Sequence, residues 1–298
     1  MIKVSVPATS ANLGAGFDSC GLALSLYNTA SFAEMDGISI TSSDGSFVPQ
    51  GPGNLLYHTA QEVYRLCDKP FKGLSIVQTN AIPMARGLGS SSACIAAGIL
   101  GANALLHNPL SAQDILTLAT QMEGHPDNVA PALRGGFVVS AFDEGKVYAL
   151  QKPIANTLAF AAFVPNFKLL TEKARAVLPK EVSRKDAVYN LSRAALLSAA
   201  FCTEQYDFLS VATKDSLHQQ YRLPLIAGGG AVFALCEKLG AMGTFVSGAG
   251  PTILAVVRAD NAAFFTQANA ALTQDAQLNA FTLHRFTADN TGATVCQN

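Results

Sequence analysis

The segment Pro83-Met-Ala-Arg-Gly-Leu-Gly-Ser-Ser-Ser-Ala93 holds the residue types best suited to grip an anion. Gly87 and Gly89 lack the Cβ atoms that would bar close approach. The helix start that follows leaves its first N–H groups unpaired and pointing into the loop. Phosphate is the natural guest. Two familiar phosphate loops do not fit: no lysine follows the glycines, and a dinucleotide fingerprint would need glycine where Ser92 stands. A hydrolase elbow fails at Ala93, which replaces its last glycine. Taken alone, the segment reads equally well as a helix start capped by serines.

Three more clusters carry chemistry. Glu123-Gly-His-Pro-Asp-Asn-Val-Ala-Pro131 packs two carboxylates, an imidazole and an amide into six residues at a loop-to-helix junction. In the plain structural reading, Asp127 or Asn128 caps the next helix. Zinc is disfavoured because His125 has no ligand partner at helical spacing. One carboxylate with a loop hydroxyl suits Mg²⁺ on a nucleotide better. Ser10-Ala-Asn-Leu-Gly-Ala-Gly-Phe-Asp18 brings Asn12 and Asp18 onto a glycine-bent loop, and Ser247-Gly-Ala-Gly-Pro-Thr252 lies between two apolar strands. Each is also an ordinary turn.

The elements that must position these clusters follow from periodicity. Ile2, Val4 and Val6 alternate with polar residues and predict a strand ended by Pro7. Strand-like runs continue to Ile40, and Asn54 is placed to cap a helix whose apolar face is Leu55, Leu56, Thr59, Val63 and Leu66. Leu74–Thr79 predicts the strand feeding the glycine loop. Helices are expected over Ser91–Leu106, Ser111–Met122 and from Asp127 to the Gly135-Gly136 stop. A hairpin is expected at 137–150, a strand at Leu158–Val164 and helices at Asp186–Phe201, Ala231–Leu239 and Asn261–Thr273. Thr244–Ser247 and Thr252–Val257 read as strands, and Asn279–Phe286 as extended chain. Strands and helices mix without strict alternation, which favours α+β over a doubly wound sheet. The boundary between halves is expected within 151–156.

Composition sets the class. With 298 residues, 49% of them apolar and 14% charged, the chain can bury a large core in about two domains. A net charge of −1 gives no footprint for nucleic acid or an anionic membrane. The start MIKVSVPATS lacks a signal-peptide pattern, and Ala93–Leu106 is too short to span a bilayer. Six cysteines without a C-x-x-C pair predict buried free thiols in a reducing compartment, so a cytoplasmic location is expected.

Together, SANLGAGFD (10–18), PMARGLGSSSA (83–93), EGHPDNVAPAL (123–133) and SGAGPT (247–252) resemble the galacto-, homoserine, mevalonate and phosphomevalonate kinase superfamily, and within it the homoserine kinases. The motifs occur in that family's order and the resemblance runs over essentially the whole chain. The glycine–serine loop and SGAGPT specify the superfamily only; the other two are more specific. The resemblance implies an α+β, two-domain small-molecule kinase fold, with an N-terminal phosphate-loop domain (1–153), a C-terminal ferredoxin-like domain (154–298) and the site between them.

It also implies ATP and Mg²⁺, with L-homoserine as the phosphoryl acceptor and O-phospho-L-homoserine, a precursor for threonine, as the product. Pro83, Gly87, Leu88, Gly89, Ser90, Ser91 and Ser92 would form the phosphate cradle, and Asn54 would meet adenine. Glu123 and the Ser91 hydroxyl would hold the ion. Asp18 would take the acceptor's ammonium; Thr171, Arg175 and Arg222 match its carboxylate-binding segments. Asn12 and Asn128 would hold the attacking hydroxyl, and His125 would tune the phosphate environment. Only Gly124 separates Glu123 from His125, whereas some relatives have a longer segment there. A homodimer is the family's usual assembly.

Position 128 shapes the expected mechanism. Mevalonate kinase carries an aspartate that can accept a proton; an amide cannot. Catalysis by alignment and electrostatics is therefore expected, with the proton lost late. Asp127 is expected to point about 100° away from Asn128 on a helix. Arg86 is placed to help with phosphate charge or to lie solvated, and the 228–230 glycines to loosen the segment after Arg222. The rival readings are a mevalonate or sugar kinase, a non-catalytic sensor on this fold and, distantly, a serine hydrolase.

Overall fold

A computed structural model describes residues 1–297 of the chain. The path begins with β1 (Ile2–Ala11), β2 (Cys20–Glu34) and β3 (Gly37–Ser42), then α1 (Leu55–Leu66) and β4 (Gly73–Asn80). Three helices follow, α2 (Ser90–Leu105), α3 (Ala112–Glu123) and α4 (Pro126–Arg134), and then the hairpin β5 (Phe137–Asp143) and β6 (Lys146–Lys152). Next come β7 (Leu158–Pro165), α5 (Thr171–Ala176), α6 (Arg184–Thr203), α7 (Leu209–Ala212), α8 (Gln219–Arg222) and α9 (Gly229–Lys238). The chain closes with β8 (Gly243–Val246), β9 (Ile253–Arg258), α10 (Ala262–Gln274), β10 (Phe281–Phe286) and β11 (Thr294–Gln297).

Seven strands make the first sheet, ordered β11-β1-β2-β4-β3, with β5 pairing the start of β2 and β6 pairing β5. The second sheet runs β10-β7-β9-β8, all antiparallel. Numbering its strands one to four gives the order 4-1-3-2, the ferredoxin-like arrangement expected for this half. The expected division at 153/154 falls between β6 in the first sheet and β7 in the second, while β11 returns to the first sheet beside β1.

The expected end of the first strand needs correction. Pro7 does not end β1: the strand continues to Ala11, with a register shift against β2 between Pro7 and Ala8. The bulge absorbs the missing N–H of proline, so β1 reaches the site. Of the 228–230 glycines, Gly228 precedes α9, and Gly229 and Gly230 are its first two residues.

α2 is apolar on all sides because it is enclosed. Ala93, Ile95, Ala96, Ile99 and Ala102 are buried against α1, α3, α4 and the first sheet. The main core is continuous from β1 and β2 through α1 and α2 to Phe160, Phe201, Leu254 and Phe286, so the two sheets share packing. All six cysteines are free; Cys20 and Cys236 are buried, but Cys202 and Cys296 are exposed, against the expectation of buried thiols. No helix of the described residues is long and apolar enough to cross a membrane.

Candidate active site

The glycine loop is built from its carbonyls outward. Leu169 N–H donates to Ala85 O, Thr252 N–H to Arg86 O and Thr9 N–H to Leu88 O, at 3.1 to 3.2 Å. The Ser247 hydroxyl donates to Gly87 O at 2.6 Å and lies 2.7 Å from Ser10 Oγ. Four successive carbonyls are thus tied to the scaffold. The backbone N–H groups of residues 87–92 find no acceptor among the described residues. They form a set of donors at the start of a 16-residue helix, the arrangement that binds anions. Gly89 has φ +72°, and a Cβ there would overlap Thr9 Oγ1, so the loop needs glycine on both counts.

A cavity of ≈ 100 Å³ opens on this loop. Residues 85–92 form one wall; Asn12, Asp18, Glu123, His125, Asp127, Asn128, Thr171, Arg175, Arg222, Gly248 and Ala249 form the rest. Nearly every site residue expected from the sequence therefore lines one space. Asn54 and Pro83 do not. Asn54 caps α1, accepting from Leu56 and Tyr57 N–H, while its Nδ2 donates to Pro49 O and Gln78 Oε1. It walls a neighbouring ≈ 280 Å³ cavity with Phe47, Val48, Leu55, Met84 and Cys94, and Ser90 and Ser91 border both spaces.

Glu123, at the end of α3, faces the serines. Ser92, fully buried, donates to Oε1 at 2.8 Å; Ser91, exposed, lies 3.4 Å from Oε2. Ser92 is therefore turned inward as the carboxylate's anchor. Burial raises the Glu123 pKa, with the two serines and His125 opposing it in part. A desolvated carboxylate beside an exposed, weakly held hydroxyl is a hard-oxygen donor set, which fits Mg²⁺.

His125 precedes α4 and hydrogen-bonds through Nδ1 to Asp127 Oδ1. Burial alone would lower the imidazole pKa, but the hydrogen bond and charge of Asp127, with Asp18 beyond it, raise it above its ordinary value. Asp18, His125 and Asp127 offer ligand atoms within 4.8 Å of one another, a cluster hidden by sequence separation. Asp127 and Asn128, both in the first turn of α4, line the same cavity but bond different partners, Asp127 to His125 and Asn128 to Thr9. Asn128 accepts a hydrogen bond from Thr9 Oγ1 at 2.8 Å.

Across the cavity stand two arginines. Arg175 on α5 makes a bidentate pair with Asp18, at 2.7 and 3.1 Å, which raises its pKa. Thr171, one turn earlier, shares its cavity-facing side as the four-residue spacing predicts. Arg222 is fully buried: Nε donates to Ala174 O, and Nη1 lies 3.0 Å from Gly248 O and 3.2 Å from His218 Nδ1. Burial, then repulsion from Arg175, lowers its pKa to about 10. The Phe17 ring is close to both guanidinium groups, its centroid 5.7 Å from the Arg175 Cζ and 5.3 Å from the Arg222 Cζ. Arg86 is not available for phosphate, because Nε and Nη2 donate to Pro165 O and Asn166 O. Asn12 ties the wall together, donating to Gly248 O and accepting from Asp18 N–H.

The sequence reading missed Thr9, Phe17 and His218. His218 is fully buried, stacks on Phe17 at 5.1 Å, and bonds Gly14 O through Nε2. Its pKa is lowered, first by burial. The neutral ring donates from Nε2 and so accepts the Arg222 N–H at Nδ1. The signal was present in the four-residue spacing of His218 and Arg222.

Such a site can hold a polyphosphate against backbone amides, a cation on Glu123, and a small zwitterion between Asp18 and the arginines. Known proteins agree with this class of chemistry. Residues 54–136 match the GHMP kinase N-terminal domain and residues 211–272 the GHMP kinase C-terminal domain. The chain is 43% identical over 301 residues to the homoserine kinase of Clostridium beijerinckii, covering 100% of this chain and 99% of that one. It is 45% identical over 297 residues to the homoserine kinase of Caldicellulosiruptor saccharolyticus, covering 99% and 96%. The crystal structure of homoserine kinase from Cytophaga hutchinsonii superposes with a TM-score of 0.86 at 27% identity, covering 99% of this chain and 97% of that one.

The chain belongs to the GHMP kinase family. As a kinase of this family it uses ATP with Mg²⁺.

Proposed function

We propose that this kinase transfers the γ-phosphoryl group of ATP to the side-chain hydroxyl of L-homoserine, giving O-phospho-L-homoserine for threonine synthesis. The observation that carries the reading is the meeting of Asp18, Arg175 and Arg222 with the amide-lined loop across one cavity. A free α-amino acid needs a carboxylate for its ammonium and a guanidinium fork for its carboxylate. Mevalonate offers no ammonium and a neutral sugar offers neither charge.

In this reading the N–H groups of residues 87–92 would carry the phosphates, and Glu123 with Ser91 would hold Mg²⁺, which would supply positive charge against the negative phosphate oxygens. Asn54, with Pro83 leading into the loop, belongs to the nucleotide side, where the apolar walls of the second cavity suit a base. Asn128 and Asn12 serve the acceptor hydroxyl. His125, held by Asp127, adds positive character beside the phosphates. Among the described residues the side-chain hydrogen bond of Asn128 is to Thr9 Oγ1, and the cavity carboxylate beside it in the chain, Asp127, is bonded to His125. Catalysis then rests on alignment and electrostatic stabilisation, and a loose phosphoryl-transfer transition state needs little more. A cytoplasmic homodimer completes the reading.

A coupled ADP-release assay over L-homoserine, mevalonate, galactose and shikimate tests it. Turnover confined to homoserine is expected; faster turnover of mevalonate or a sugar would overturn the substrate assignment, and no turnover at all would favour a sensor.

A further inference from the structure

Asn128 serves an acceptor hydroxyl only if the right end of its amide faces the cavity, and the backbone of α4 does not decide which end that is. We propose that Thr9 is a positioning residue that fixes the Asn128 amide and joins it mechanically to the phosphate loop; this rests on the reading of Asn128 given above.

Three contacts meet at Thr9, which is fully buried on β1. Its backbone N–H donates to Leu88 O at 3.1 Å, inside the glycine loop. Its Oγ1 lies directly against Gly89, where a Cβ would overlap it. The same Oγ1 donates to Asn128 Oδ1 at 2.8 Å, across 119 residues of sequence. The hydroxyl has a single proton, and amide Oδ1 can only accept. Turning the amide over would leave the buried Thr9 O–H with no acceptor among the described residues, the costly arrangement for a polar group away from water. Asn128 therefore keeps Oδ1 toward the scaffold and Nδ2 toward the cavity.

Two consequences follow. Residue 128 acts on substrate oxygens as a hydrogen-bond donor, steadying the acceptor hydroxyl or a phosphate oxygen, and takes no proton. A shift of the phosphate loop at Leu88 or Gly89 is also passed to the acceptor side through one residue, so the two reacting groups are held in register. Thr9 touches neither substrate; its effect runs through Asn128 and the loop.

The test is steady-state kinetics of Thr9→Val, Thr9→Ser, Asn128→Ala and the Thr9→Val/Asn128→Ala double variant, with thermal melts on each. Thr9→Val keeps the shape and removes the donor, so kcat should fall about tenfold while KM for ATP and homoserine stays within about threefold. Thr9→Ser restores the donor and should recover most of kcat. The double variant should be no slower than Asn128→Ala, because the threonine has then lost the group it orients. Wild-type kcat in Thr9→Val, equal loss in Thr9→Ser, or losses that multiply in the double variant would each overturn the proposal. Near-normal turnover of Asn128→Ala would instead defeat the role given to Asn128. If Thr9→Val does not melt cooperatively, Thr9→Cys, with similar volume and only a weak donor, carries the same comparison.

Discussion

Arg175→Ala separates recognition of the acceptor from maintenance of the site. A carboxylate held by a desolvated guanidinium is worth about 2–5 kcal/mol when the arginine is truncated. The Arg175 and Asp18 side chains are 37% and 35% exposed, however, so water screens part of that interaction. The incoming carboxylate must also displace or share the two bonds that Asp18 already makes to Arg175. These discounts leave about 1–2 kcal/mol, or a rise of roughly 5- to 30-fold in KM for L-homoserine. Because the loss is in binding and the phosphate loop is untouched, kcat should change little. The control is the amino alcohol in which a hydroxymethyl group replaces the homoserine carboxylate. Its KM is already high and should shift less than about twofold on Arg175→Ala, since no carboxylate remains to lose its partner. Equal losses for both substrates would refute the assignment and show that Arg175 works by holding Asp18 and the loop.

Other perturbations address the remaining parts. Glu123→Gln keeps an acceptor for Ser92 but removes the charge; turnover should fall at least about 100-fold and Mg²⁺ titration should no longer saturate normally, whereas normal Mg²⁺ dependence would remove Glu123 from the ion site. Gly89→Ala meets both a left-handed φ and Thr9 Oγ1, so it should lower the melting temperature and raise KM for ATP together; a variant with unchanged KM for ATP would contradict the amide cradle. The buried neutral His218 gives a pH signature. Its folded pKa lies below the unfolded value near 6.5, so on acidification the unfolded chain takes up a proton first. Stability should therefore fall as pH drops below 6.5, with a slope of up to about 1.4 kcal/mol per pH unit from this residue. Urea midpoints from pH 7 to 5 should show a shallower acid slope in His218→Gln; an unchanged slope would mean that His218 does not titrate this way.

What was legible in the sequence follows the range of the interaction. Period-3.6 and period-2 patterns, Asn54 as a cap and the Gly135-Gly136 stop are local, and they located most elements within a few residues. Pro7 misled because a bulge is a property of two paired strands, and β2 supplies the second strand only after the glycine-bent loop. β11 has four exposed residues and little pattern of its own; its pairing with β1 is a tertiary event.

The site divides along the same line, and more instructively. Residue types at fixed local spacing, such as Glu123 to Asn128 or Thr171 to Arg175, line one cavity. The direction in which each group is turned did not show. Ser91 and Ser92 look alike in sequence, yet one is exposed and the other is spent anchoring Glu123. Asn54 has its amide committed to the scaffold, and Asn12 spends one amide hydrogen and one lone pair there. Thr9 and His218 lie beside legible motifs but act through partners fixed by the fold, Asn128 and Gly14, at separations of 119 and 204 residues. Chemistry that depends on which atom of an amide or imidazole faces a ligand is settled by such long-range bonds. For this reason the charged side chains that suggest an amino-acid substrate were legible by type, whereas the role proposed for residue 128, that of an oriented donor, emerges only when Thr9 is seen against it.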